Sequence, residues 1–195
     1  MTKVVLREIN QCTSEQKVAV RDIRNQDSVR RSMYTDHEIG LDEHLKWVDR
    51  LKDDKNQIVF VVLVEEVVSG VVSVNAIDRS HKKSDWAFYL SEKVRGGLGA
   101  ALEFSLLDFV FNVLLLEKLN CEVIETNEAV VKMHKKFCFV EEGFRRENIE
   151  KEEGRIGVFF LGITKQNWLE GRSSVREKYQ PVLKKFNIKI EYENK

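Results

Sequence analysis

Apolar and charged positions alternate through residues 3–9, which predicts an edge strand. The period lengthens at Ser14, where a helix with Ser/Glu character at its start is expected to run to about Asn25. After a polar bridge, Leu41, Leu45, Val48 and Leu51 recur at helical spacing as far as Asp54, giving a helix with one buried face. Ile58 to Val64 is an unbroken β-branched and aromatic run, the pattern of a central strand covered on both faces. Ser69-Gly70 offers a turn or bulge, with strands predicted at Val71 to Ile77 and Trp86 to Leu90. Leu102, Leu106, Phe109, Val110 and Val113 form one helical stripe, followed by a strand at Leu119 to Ile124 and a helix from about Glu128 to Phe137. A late strand at Val158 to Ile163 completes the order β-α-α-β-β-β-α-β-α-β, with room for one more strand. This is one α/β (α+β) domain over residues 1–165 with a C-terminal extension over 166–195. In the extension, helical spacing from Val175 to Phe186 is interrupted by Pro181, and Ile188 to Tyr192 alternates like a short strand. A lid, a dimerisation arm that would make the chain a homodimer, and a partly ordered tail all fit such a segment.

Composition narrows the function classes. With 195 residues, 43% apolar and 33% charged, the chain suits one domain with a substantial core. Lys plus Arg equal Asp plus Glu at 32 each, so no basic excess favours nucleic acid as a partner. Cys12, Cys121 and Cys138 lack paired ligand spacing, which disfavours both a disulfide framework and a metal site and points to the cytoplasm. No run reaches the ~18 apolar residues of a membrane span, and no membrane association is expected.

The chemistry starts at Glu92-Lys-Val-Arg-Gly-Gly-Leu-Gly-Ala-Ala-Leu102, a glycine-rich turn that runs directly into a helix. Glycines let backbone N–H groups approach a ligand closely, and the first helical turn adds unpaired donors at the positive end of the dipole. A pyrophosphate fits such a cradle. The spacing matches neither the phosphate loop Gly-x4-Gly-Lys-Ser/Thr nor the dinucleotide fingerprint Gly-x-Gly-x-x-Gly.

A second element reads Asn127-Glu-Ala-Val-Val-Lys-Met-His134-Lys-Lys-Phe-Cys-Phe-Val-Glu-Glu-Gly143. Together the two elements resemble the coenzyme A loop and the Asn-x-x-Ala/Ser-x-x-x-Tyr-x-Lys-x-Gly-Phe motif of GNAT-type N-acetyltransferases. Asn127, Lys136 and Phe139 match; Val94, Val130, His134 and Cys138 depart. The resemblance implies the GNAT fold, a mixed sheet splayed between its fourth and fifth strands, with acetyl-CoA as acetyl donor. It assigns the coenzyme to Leu90, Arg95, Gly96, Gly97, Leu98, Gly99, Ala100, Asn127 and Lys136. His134 stands where the family carries tyrosine, and an imidazole there is chemically coherent as the general acid for a departing thiolate.

The N-terminal half carries Arg24-Asn25, Met33-Tyr34, His44 and Trp47 in a spacing that resembles the PseH-like nucleotide-sugar N-acetyltransferases of pseudaminic acid synthesis. That branch implies Arg24, with Arg30 nearby, for a diphosphate, Trp47 and Met33 for a base, and His44 as a donor to ribose, with Asn25 and Tyr34 beside them. Ser73 and Asn75 share one strand face opposite Val72 and Val74. Ser73, Glu122 and Tyr89 match the positions that related sugar acetyltransferases place around the acceptor amine, with Glu122 taking its proton through water. The expected activity is direct acetyl transfer to the 4-amino group of a UDP-linked 4-amino-4,6-dideoxy-N-acetylhexosamine, a small-molecule substrate. A peptide N-terminal acetyltransferase and a non-catalytic acyl-CoA-binding module are the alternatives.

Overall fold

The computed structural model describes residues 1–94 and 96–193. One mixed sheet forms from β1 (Thr2–Glu8), β2 (Ile58–Val64), β3 (Val67–Asp78), β4 (Lys83–Leu90), β5 (Lys118–Ile124), β6 (Val140–Lys151), β7 (Gly154–Thr164) and β8 (Phe186–Glu191). The strands lie in the order β6-β7-β5-β4-β3-β2-β1-β8. Helices α1 (Ser14–Arg24), α2 (Asp27–Arg30) and α3 (Leu41–Arg50) precede β2, α4 (Leu98–Asn112) follows β4, α5 (Glu128–Lys136) follows β5, and α6 (Lys165–Leu183) follows β7.

Side-chain alternation divides the core between the two faces of this sheet. Val72, Val74, Trp86 and Phe88 belong to the larger cluster, with the apolar residues of α4. Val59, Val61, Val71 and Tyr89 belong to the smaller one, with Val20 of α1 and Val48 of α3. The central position expected for β2 holds, since its Phe60, Val61 and Val62 are fully buried between β1 and β3. Glu65 and Glu66, both at positive φ, turn the chain from β2 into β3, and Ser69 is the extra residue of a bulge opposite Val62 and Leu63.

Several sequence expectations are corrected. The N-terminal strand is not an edge, because β8 pairs with it in parallel from Thr2↔Phe186 to Arg7↔Glu191. The first helix is capped one residue earlier than expected, by Thr13 in a reciprocal capping box with Gln16. Pro181 does not interrupt α6, which carries it two residues before its end. The extension is packed down: Trp168 is fully buried against Phe104, and Asp108 accepts hydrogen bonds from Trp168 Nε1 at 2.9 Å and from Arg172 Nε and Nη2, both at 2.7 Å.

Candidate active site

Two parallel strands part at the centre of the sheet. β4 and β5 pair only at Lys83↔Lys118, Ser84↔Leu119 and Asp85↔Asn120, and their C-terminal halves then diverge. The opening is a cleft of about 610 Å³ that reaches both sheet faces: Trp86 and Phe88 line it from one side, Glu122 and Tyr89 from the other. Because each strand leads directly into a helix, the N-termini of α4 and α5 lie at the carboxyl ends of the parted strands, the position at which α/β sheets bind ligands.

The glycine turn has the backbone geometry of an anion cradle. Gly96 and Gly97 sit at φ 85° and 88°, the left-handed region, and Gly97, as N-cap residue, has no side chain with which to cap α4. At Gly97 a Cβ would come within 2.8 Å of Val182 Cγ1, whereas at Gly99 it would make ordinary contact with Phe88 at 3.6 Å. Uncapped N–H groups and a close-approach backbone fit the pyrophosphate of coenzyme A. Leu90 lines the cleft, while Leu98 and Ala100 are buried and hold the first turn against the core. Asn127 is the N-cap residue of α5, makes no capping bond and lines the cleft. Lys136 is exposed at the opposite end of α5 and lines neither cavity, and Arg95 lies outside the described residues.

His134 is only 3% exposed, at the base of the cleft. Trp86 and Phe139 each stand with ring centroids 5.2 Å from the imidazole. Its Nδ1 lies 2.8 Å from Oε1 of Glu103, a fully buried carboxyl group on α4. Burial pushes the Glu103 pKa upward, against the lowering effect of the His134 contact. The sequence reading missed Glu103, although a lone acid among Leu98–Leu107 was a visible signal.

The opposite face carries groups expected on the acceptor side. Tyr34 donates its hydroxyl hydrogen bond to Glu122, and burial raises the phenol pKa. Arg24, Met33, Tyr34 and Asn75 line the main cleft. A second cavity of about 270 Å³, lined by His44, Trp47 and Ser73, shares Arg24 and Tyr89 with the first. Met33 and Trp47, expected to flank one base, therefore stand in different cavities. Arg24 Nη2 donates to the Thr35 carbonyl at 2.8 Å, while its buried Nη1 has no partner among the described residues.

Three expectations change role. His44 Nε2 lies 2.8 Å from the Lys17 carbonyl, so it carries the proton, and burial lowers the pKa of this imidazole. The neutral ring presents Nδ1 as an acceptor, not the donor expected. Asn25 exchanges two hydrogen bonds with the Ile39 backbone and holds the loop before α3. Arg30 bonds Asp27 and the Asp36 carbonyl and lines neither cavity.

Among the described residues no group of three His, Cys, Asp or Glu could hold a metal ion, and no helix is long and apolar enough to cross a membrane. The chain is 23% identical over 136 residues to the acetyltransferase PseH of Campylobacter jejuni serotype O:2, spanning 70% of this chain and 84% of that protein. A second Campylobacter jejuni PseH, from serotype O:23/36, is 21% identical over the same shares. Among solved structures, spermidine N-acetyltransferase from Vibrio cholerae in complex with CoA and spermine superposes with a TM-score of 0.78 at 20% identity, covering 85% of this chain and 98% of that one. Residues 9–157 match the model of the acetyltransferase (GNAT) domain. With the parted strands and the glycine cradle already in place, that match makes this chain a member of the GNAT acetyltransferase family, an acetyl-CoA-dependent N-acetyltransferase.

Proposed function

We propose that the acceptor is the 4-amino group of a UDP-linked 4-amino-4,6-dideoxy-N-acetylhexosamine of the pseudaminic acid pathway, acetylated by direct transfer in the cytoplasm. One observation carries the reading: the open Nη1 of Arg24 in the wall shared by the two cavities. A buried guanidinium edge without a partner is costly, and a diphosphate would complete it. The sugar would then extend into the main cleft and the nucleoside into the smaller cavity, where Trp47 offers a ring face and His44 Nδ1 an acceptor for a ribose hydroxyl.

When bound, acetyl-CoA supplies an acyl group already activated as a thioester. Glu122, on the acceptor face, takes the proton that an ammonium must lose before its nitrogen can attack, with the Tyr34 hydroxyl holding the carboxylate in position. His134 holds a proton on the coenzyme side for the departing sulfur. A polyamine fits less well, because the cleft presents a cation at Arg24, and its carboxylates Glu122 and Asp85 already accept from Tyr34 and Asn120.

Thiol release from acetyl-CoA with a UDP-4-amino-sugar, spermidine and a peptide amine as acceptors tests the reading. Preference for the nucleotide sugar by ~100-fold or more in kcat/KM is expected. Equal or better turnover of spermidine or peptide would overturn it.

A further inference from the structure

We propose that Glu103 is the positioning residue that keeps a proton on His134 Nε2 at neutral pH. The inference rests on the role given to His134 above and adds a group that touches neither the coenzyme nor the acceptor. The two side chains, 0% and 3% exposed, come from different helices and meet at 2.8 Å through Nδ1, which leaves Nε2 as the second ring nitrogen of a residue that lines the cleft.

Counting protons explains why the partner is an acid. With one proton between them, the pair is a carboxylate and a neutral imidazole whose proton lies on Nδ1; it carries net charge −1 and Nε2 is bare. With two, it is either a carboxylic acid donating to Nδ1 or a carboxylate facing an imidazolium. Both are net neutral and both carry Nε2–H. A dry environment favours the neutral pair, and burial does push the Glu103 carboxyl upward. Its second oxygen, Oε2, has no hydrogen-bond partner among the described residues, so nothing there stabilises the anion.

Arg24, Asp85 and Glu122 line the cleft with His134, but among the described residues none of them hydrogen-bonds to the pair. β4 presents Trp86 and Phe88. Cys121 of β5 and Tyr179 of α6 feel the Glu103 charge, and burial raises both, keeping them neutral. On α5, Lys132, Lys135 and Lys136 are exposed, the first two in ion pairs with Glu128 and Glu141. In the transfer step the acceptor nitrogen forms the new C–N bond as the C–S bond breaks. The sulfur, keeping that electron pair, takes the Nε2 proton; Glu122, having already passed the ammonium proton to water, takes the nitrogen's surplus proton and releases it to water too, and water returns one proton to the pair.

The test is nitrogen-15 NMR of the imidazole in the protein alone, combined with kcat against pH for wild type and Glu103→Gln. Wild type should show protonated Nε2 at neutral pH, with the alkaline fall in kcat set by loss of the second proton. In Glu103→Gln, whose amide N–H can donate to Nδ1 as the neutral acid does but cannot ionise, that alkaline limb should move up by about one pH unit or more, at unchanged acetyl-CoA affinity. A bare Nε2 in wild type at neutral pH would overturn the proposal without any variant, as would an unshifted limb in a folded Glu103→Gln protein. Full activity in His134→Ala would instead remove the role of His134 itself.

Discussion

At position 134 the side chain sits in an aromatic wall and still presents a polar nitrogen, a combination that phenylalanine cannot reproduce. His134→Phe should lower kcat by ~100-fold or more, the usual contribution of a positioned proton donor, and His134→Tyr should recover part of it. The Phe variant also strands Glu103 without a partner, costing roughly 1–3 kcal/mol of stability, so kcat must be compared at temperatures where both proteins are folded. Wild-type kcat in His134→Phe would make the residue structural. His134 was legible because the Asn127 motif counts to it, whereas Glu103 hid inside a helix whose hydrophobic stripe absorbs attention. Its partner is 31 positions away, and no local pattern links two residues whose helices are separated by a strand. The roles of Asn25, Arg30 and His44 were illegible for a related reason. Each is decided by a backbone carbonyl brought in from elsewhere in the chain, Ile39, Asp36 and Lys17 respectively.

Among the elements, the turn into α4 is the most sensitive to substitution, and its two motif glycines differ. Gly97 combines left-handed backbone with a Cβ position 2.8 Å from Val182, while Gly99 is helical with ordinary clearance. Gly97→Ala should therefore lower stability by about 1 kcal/mol or more and weaken acetyl-CoA binding, and Gly99→Ala should change the melting temperature little. Calorimetric titration with acetyl-CoA and thermal melts check both; equal behaviour of the two variants would contradict the assignment of the turn to Gly97. Strand and helix existence was readable wherever periodicity was strong, as in β2 and α3. β6, in contrast, reads Val-Glu-Glu-Gly-Phe-Arg-Arg-Glu-Asn-Ile-Glu-Lys and is exposed along most of its length at the sheet edge. With neither face consistently buried it leaves no alternation to detect. β8 was recognised as a strand, but its place beside β1 depends on α6 crossing the sheet, which sequence spacing does not encode.

For the whole molecule, one geometric fact organises the site: β4 and β5 stay together for three residue pairs and then part, so groups from both sheet faces meet in one cleft. His134 and the glycine turn approach from the α4 and α5 side, and Glu122, Tyr34 and Arg24 from the side of α1 and α2. The second cavity joins this cleft through Arg24 and Tyr89, giving the proposed acceptor side two compartments with a cation between them. The measurement that tests this account most directly is steady-state kinetics of Arg24→Met with the UDP-4-amino-sugar. Loss of a charge-assisted bond to phosphate, worth roughly 1.5–3 kcal/mol, should raise the acceptor KM at least tenfold. The KM for acetyl-CoA should not move, because Arg24 lies on the opposite side of the sheet from the glycine turn. An unchanged acceptor KM, or an equal rise in both KM values, would contradict the claim that the two cavities hold one anionic acceptor across Arg24.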